Sequence, residues 1–519
     1  MLLLGIDLGT SSVKVSVVDA DSQKCIASTH YPETEVDIIS VKSGWAEQSA
    51  DQWWEHVKQA VLKCNATSRY DPKDIAAIGI AYQMHGLVLV EKDQHVLRNS
   101  IIWCDSRAVE IGDDAFHHIG EERCLSHLLN SPGNFTASKL AWVKKYEPAV
   151  FEKIDKVMLP GDFIAMKFTG ESTTTSSALS EGIFWDFEEN NISTDVLNYF
   201  GFDKNSFPSI QPLFSSHGRV KQKVADRLSL TAGIPVSYKA GDQLNNALSL
   251  NVLKPGEIAA TAGTSGVIYG VSDQLSYDHQ SRINSFAHVN HTASLPGASG
   301  VSGETRIGIL LCINGAGIFN RWIKNLAGAN ISYQALNDAA FQIDVGSNGL
   351  TALPFGNGAE RMLANKMIGS HFNNLDFNVH TTGHMVRAVQ EGIAFAFRYG
   401  LDIMRENGID PVVIRAGRSN LFLSDVFTEA FVNATNVEVE FYDGDGSFGA
   451  AMGAGIGAGI YTNAASAFSN RKPASFVAPG NSAVYDDLYQ HWKDLLDERI
   501  KRIDKTGELL LAYNQLNNK

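Results

Sequence analysis

The chain has 519 residues, 44% hydrophobic and 19% charged, with 43 basic against 57 acidic side chains and a net charge of −14. That length predicts two to four domains of about 100–200 residues, and the acidic balance, with no compensating basic run, excludes nucleic acid and anionic membrane surfaces as partners. The five scattered cysteines form neither a disulfide framework nor a zinc pattern, and no apolar run reaches the roughly 20 residues of a membrane span, so the expected location is a reducing cytoplasm.

The chain opens on an apolar run ending in Gly5-Ile6-Asp7-Leu8-Gly9-Thr10-Ser11-Ser12, after which Val13, Val15 and Val17 alternate with Lys14 and Ser16. Alternation of period two predicts strand, polar turn, strand, with a third strand over 25–28. A dinucleotide-binding unit would need a helix directly after the glycine turn, so that reading is excluded. Gly9 frees the turn's backbone, and the hydroxyls and N–H groups of 10–12 suit a phosphate. Asp7 supplies a carboxylate suited to Mg²⁺. An ordinary hairpin with a polar tip fits the same stretch.

Ser49 and Gln52 resemble a helix cap, followed by Trp54, Val57, Val61 and Cys64 at helical spacing on a predicted core face. The continuous apolar run 75–81 predicts a strand buried on both faces, and Tyr82-Gln83-Met84-His85-Gly86 sits where it ends. Loops at such ends bind ligands in α/β folds, so a sugar or polyol is one reading of Met84 and His85; ordinary packing is the other. Asp105 follows a second strand-like run, and pairing with Arg107 is the alternative to a ligand role. A helix is expected near 138–145 and a strand over 157–159; the stretch 190–230 is less regular.

Residues 258–271 then repeat the opening: an apolar strand, Gly263-Thr264-Ser265 and an alternating strand. Two copies of one turn half a chain apart imply two related halves, with room for a triphosphate between them. Just before the second copy, Gly241 leaves the approach to Asp242 open. Asp242 is a candidate general base, with a helix N-cap as its equal alternative. Further on, a helix containing Phe319, Trp322 and Ile323 is expected. Residues 385–404 predict a helix with Val386, Val389, Ile393 and Phe397 on one face and an Arg387–Glu391 pair. The Gly- and Ala-rich 446–459 reads as a closely packed segment, 473–481 as a linker, and 485–503 as a closing amphipathic helix.

These stretches together resemble the FGGY family of carbohydrate kinases, and within it the xylulose kinases, over nearly the whole length. The resemblance rests on residues 5–11, Gln83-Met84-His85-Gly86, Leu159-Pro160-Gly161-Asp162-Phe163 with Thr169-Gly170-Glu171, Gly241-Asp242, Gly263-Thr264-Ser265-Gly266 and residues 387–395. It implies an α/β fold of two actin-like, ribonuclease-H-like domains with a cleft between them, taken as 1–247 for sugar and 248–519 for nucleotide. It implies ATP-dependent phosphorylation of D-xylulose, with ATP and Mg²⁺ required and a homodimer as a compatible assembly. Residue by residue it implies Asp242 as catalytic base, Met84, His85 and Asp105 with Asp242 at the sugar, Asp7 at the metal, and Thr10, Ser11, Lys14, Gly263, Thr264, Gly317 and Gly417 at ATP.

Three departures accompany the resemblance. Gln243 stands where many xylulose kinases carry Asn, Ala416-Gly417-Arg418 replaces a triple glycine, and Gly358-Ala359-Glu360-Arg361 holds an extra residue. Arg418 could stack on adenine or narrow its pocket. The alternatives to a xylulose kinase are a kinase of ribulose or another ketose or polyol, an actin- or chaperone-type ATPase, and a sugar-binding regulator without catalysis.

Overall fold

The computed structural model describes residues 1–292, 303–328 and 330–517. Strands β1 (Leu2–Leu8) and β2 (Val13–Asp19) form the expected antiparallel hairpin, with Asp7 opposite Lys14, and β3 (Lys24–Tyr31) extends it. Val13, Val15 and Val17 are buried while Lys14 is exposed, so the alternation in the sequence is the alternation of the sheet's two faces.

Helix α1 (Ala50–Asn65) is capped by Ser49, whose side chain accepts from the Gln52 N–H. Val57, Val61 and Cys64 face inward as predicted, but the buried tryptophan is Trp53, and Trp54 is only partly covered. The reason is polar: the Trp53 indole N–H finds the Gln48 carbonyl at 3.0 Å, whereas Trp54 lies edge-on to Phe168 near the rim. Strand β4 (Ile75–Tyr82) is buried along almost its whole length and runs parallel to β1.

Between β4 and the next strand of this sheet come helices α2 (Thr136–Tyr146), α3 (Pro160–Thr169) and α4 (Ser176–Glu181), and the stretch 190–230 holds two short helices, Thr194–Phe200 and Gln222–Leu228. Strand β5 (Val236–Gly241) then pairs parallel with β4, giving the order β5-β4-β1-β2-β3. Helix α5 (Asp242–Ser249) follows without a break.

The second half repeats the plan. Strands β6 (Glu257–Ala262) and β7 (Gly266–Ser272) form the second hairpin, and β8 (Asn284–Ala287) and β9 (Ile307–Ile313) extend it antiparallel. After helices α6 (Ala316–Ala327) and α7 (Thr382–Glu406), strands β10 (Val413–Gly417) and β11 (Val439–Tyr442) add parallel pairs on the other side of β6. The edge strand β12 (Ser475–Val477) completes the order β8-β9-β7-β6-β10-β11-β12. It lies in the predicted linker. Three residues are too few to show periodicity, and this strand exists only because β11 offers it a free edge.

Helix α7 buries Val386, Val389, Ile393 and Phe397 completely, and Arg387 Nε lies 2.8 Å from Glu391 Oε1. The closing helix α9 (Ser482–Asn517) seats Tyr485, Trp492 and Leu496 in the core, with the Trp492 N–H on the Ala352 carbonyl. Helix α8 (Gly446–Gly457) behaves differently. It lies late in the chain but rests on the first sheet, so closely that a Cβ at Gly5 or Gly79 would overlap the Ser447 or Ala450 carbonyl. Among the described residues no helix is long and apolar enough to cross a membrane.

Candidate active site

In the first sheet the register aligns Asp7 with Ala81 and Ala81 with Ala240. The chain therefore leaves β1, β4 and β5 at one edge, the carboxyl ends of three parallel neighbours, where open α/β sheets place their ligands. That edge receives the 9–12 turn, the loop beginning at Gln83, and Asp242.

Asp242 is the first residue of α5, and Gly241 occupies the cap position without a side-chain bond, so Asp242 is not the N-cap. Its carboxyl is only partly open to solvent. Burial, then repulsion from Asp7, pushes its pKa from 3.8 up to about 7. Burial likewise lifts Asp7 to about 6, opposed by Lys14 across the hairpin and reinforced by Asp445. These carboxyls concentrate negative charge at one edge. Among the described residues no group of three or more His, Cys, Asp or Glu side chains could hold a metal ion.

The Met84-His85 loop is built with care at the backbone. His85 adopts φ +62°, a left-handed conformation costly for a side chain with Cβ and kept only where the surroundings enforce it. Its carbonyl accepts from Lys139 Nζ at 3.0 Å and from the Thr136 hydroxyl at 3.2 Å. Lys139 is fully buried on α2, and burial pulls it down to about 7. The His85 ring is flanked by Phe135 and Phe286, and burial lowers its pKa to about 3. Nδ1 lies 2.9 Å from the Glu181 carbonyl, an acceptor only, so Nδ1 carries the proton and Nε2 is left as an acceptor. Met84 is buried against Gly241.

This loop is wired to the 9–12 turn. The Thr10 hydroxyl donates to Gln83 Oε1 at 3.2 Å and accepts from the Trp103 indole at 2.9 Å, while Gln48 Nε2 holds the Thr10 carbonyl. Gly9 is not in the left-handed region, contrary to its expected role; its N–H closes the turn on the Ser12 carbonyl at 3.1 Å. Ser11 is exposed at the tip, and Lys14 is exposed near the start of β2.

The second hairpin faces a cavity of about 370 Å³ lined by Gly263, Thr264, Gly317, Asn320, Tyr333 and Asn420, among others. The N–H groups of Gly317 and Ile318 donate to the Gly263 and Thr264 carbonyls, each at 3.0 Å, and any side chain at Gly317 would strike the Gly263 carbonyl. Fully buried Glu360, whose pKa burial raises to about 7, accepts from the Asn314 and Gly315 N–H groups and so fixes the start of α6. Gly417 ends β10 beside this cavity but outside its lining, and exposed Arg418 reaches Ser475 at 3.4 Å.

Asp105 departs from its expected sugar role. It is fully buried, with its oxygens taken by Arg107 and by the Ala46 N–H at 2.6 Å, so no oxygen is left for a ligand. The ion pair with Arg107 is its place. Sequence reasoning missed Trp103, Asn320, Tyr333, Asn420 and Arg361. Arg361, from the second half, lies 5.8 Å from the Phe135 ring that packs on His85, and among the described residues its side chain makes one hydrogen bond, a long 3.4 Å contact with the Ser281 carbonyl. Its place in the Gly-Ala-Glu-Arg stretch was its only signal.

Residues 2–249 match the FGGY family of carbohydrate kinases, N-terminal domain. This half is an FGGY kinase domain. The likeness extends beyond it: the chain is 28% identical over 515 residues to the xylulose kinase of Bacillus subtilis, covering 95% of this chain and 97% of that one. The xylulose kinase structure from Rhodospirillum rubrum superposes with a TM-score of 0.84 at 24% identity, over 96% of this chain and 99% of that one. The Plasmodium falciparum glycerol kinase with ADP reaches 0.85 at 18% identity, over 96% and 98%. The chain therefore shares their two-domain, actin-like α/β fold, and that fold is common to kinases named for different substrates.

Proposed function

We propose that this chain is an ATP-dependent kinase converting D-xylulose to D-xylulose 5-phosphate. The observation that carries the reading is the meeting of Met84, His85 and Asp242 at the ends of adjacent parallel strands, with Met84 against Gly241 and the His85 ring on the Glu181 carbonyl. Neutral His85 offers Nε2 to a sugar hydroxyl, and Met84 offers an apolar wall. Asp242 takes the proton of the 5-hydroxyl as that oxygen attacks the γ-phosphorus. The bond from phosphorus to the β,γ-bridging oxygen breaks, and ADP leaves. A base poised near neutrality suits this task, and positioning with charge neutralisation supplies the rest.

The hairpin turns at Thr10 and Thr264 face the phosphates from opposite sides, Gly317 keeps the second turn closed, and Tyr333 and Asn420 flank the nucleoside. Asp7 would hold Mg²⁺ together with phosphate oxygens; the bound ion neutralises phosphate charge. Closure of the halves excludes water from the γ-phosphate. The enzyme works in a reducing cytoplasm, and a homodimer is compatible with the reading; sedimentation checks it.

The test is ADP release over a panel of ketoses and polyols. D-xylulose is expected to give the highest kcat/KM; xylulose turning over no faster than buffer would sink the substrate assignment. A kinase of ribulose or of another ketose or polyol is the second reading, favoured by the fold shared with a glycerol kinase. The FGGY domain sets aside the chaperone-type ATPase.

A further inference from the structure

Behind Met84 and His85 lies a carboxyl that the proposed reaction does not use. Glu181 ends α4 with 1% of its surface exposed. Its Oε1 accepts from the Tyr82 hydroxyl at 2.5 Å, while its Oε2 is buried without a partner among the described residues. A Cβ added to Gly241 would lie 2.6 Å from Glu181 Oε2 and 2.6 Å from Met84 Cγ, so that oxygen, the Met84 side chain and the backbone before Asp242 share one small space. The Glu181 main-chain carbonyl receives the His85 Nδ1–H at 2.9 Å. One residue thus touches His85, the Met84 floor and the strand end that carries Asp242.

We propose that Glu181 is a positioning residue for the sugar-binding wall, holding His85 by its carbonyl and Met84 and Gly241 by a carboxyl fastened to Tyr82. The proposal rests on the reading of that wall as the sugar site. Methionine is flexible and takes the shape of what supports it, so a fixed floor decides where its thioether meets a ligand. An ionised carboxylate oxygen buried without a donor is too costly to persist. Burial, with Asp242 and Asp162 nearby, pushes Glu181 well above the usual carboxylate range. Among the described residues Glu181 forms no ion pair, and the buried Lys239 is paired with Asp162 at 2.5 Å. The acid is neutral, and a carboxamide can replace it.

The experiment compares Glu181→Leu, Glu181→Gln and Tyr82→Phe in the full chain, with the Michaelis constants for D-xylulose and ATP measured separately. Glu181→Leu should raise the sugar KM about tenfold or more, since displacements below 1 Å at a binding wall carry such factors, with the ATP KM within about twofold of the parent. Glu181→Gln should return the sugar KM to within about threefold. Tyr82→Phe, which keeps the ring and removes the fastening, should raise it about threefold and carries the test if the leucine variant does not fold. An unchanged sugar KM in Glu181→Leu or in Tyr82→Phe overturns the proposal. So does a glutamine variant as impaired as the leucine one, or a parallel rise in both constants. Should the parent phosphorylate no sugar of the panel, the sugar-site reading itself has failed; with the parent active, these outcomes bear on Glu181 alone.

Discussion

Gly9-Thr10-Ser11 and Gly263-Thr264-Ser265 are the same tripeptide at the tip of the same hairpin, yet they are held in opposite ways. The first is tied by side chains: the Thr10 hydroxyl joins Gln83 and Trp103, and Gln48 takes its carbonyl. The second is tied by backbone, its carbonyls receiving the first N–H groups of α6, and the Thr264 side chain stays exposed. A turn wired through side chains can report on the neighbouring sugar loop. A turn clamped by main chain can only hold its shape. Identical sequence therefore predicts identical conformation but not identical duty, because the duty comes from the partners.

Breaking the chemistry between the turns should have the largest effect. Asp242→Ala is expected to lower sugar phosphorylation by about a thousandfold while ATP binding, followed by calorimetry, is kept. Sugar-independent ATP hydrolysis at the full parental rate would count against the assignment. Next comes Gly317→Ala, whose methyl meets the Gly263 carbonyl and must open the backbone clamp; the ATP KM should rise about tenfold or more with the sugar KM unchanged.

Thr10→Val removes two side-chain bonds and should raise both Michaelis constants by about fivefold. Thr264→Val, which breaks no side-chain hydrogen bond among the described residues, should act on ATP alone. Equal behaviour of the two variants would erase the distinction between the turns.

The smallest expected effect is on stability without ligands. Asp7 and Asp242 titrate near 6 and 7 when folded, against 3.8 ordinarily. Below the ordinary value both states are protonated and nothing is lost. As pH rises through this window the unfolded chain releases its protons first, so the folded state loses stability, with the loss complete above about 7. Asp242→Asn should flatten that trend and raise Tm at pH 8 by about 1–2 °C. Calorimetry between pH 4 and 8 decides.

Much of this fold was legible because it is locally periodic. The first hairpin follows from alternating valines, the second from its repetition of the first, and α7 from its 3.6-residue spacing. The positions that misled depend on partners far along the chain. Trp53, not Trp54, is buried because Gln48 offers an acceptor, and β12 forms because β11 has a vacant edge. Asp105 was set against a sugar or Arg107, and the Ala46 N–H, which sequence spacing does not show, closes the question. Of the candidate site, Asp7, Met84, His85 and Asp242 lie at one edge of the first sheet, since each sits at the end of a recognisable strand. Glu181 gave no signal: it follows a run of small polar residues, and its meaning lies in Tyr82, about a hundred residues earlier.

Helix α8 sets the order in which this protein can be made. It covers the face of the first sheet with backbone-to-backbone contacts at Gly5 and Gly79, and Ser237 on β5 donates to its Ala454 carbonyl at 2.8 Å. A nascent chain that has emerged only to residue 249 has every strand of the first sheet and nothing to lay over that face. The sheet must wait, through some two hundred further residues of translation, for its cover. The amino-terminal half is thus the first to be synthesised and among the last to be finished, and a fragment ending near 249 should aggregate through the bare glycine-lined surface unless residues 446–457 are supplied with it.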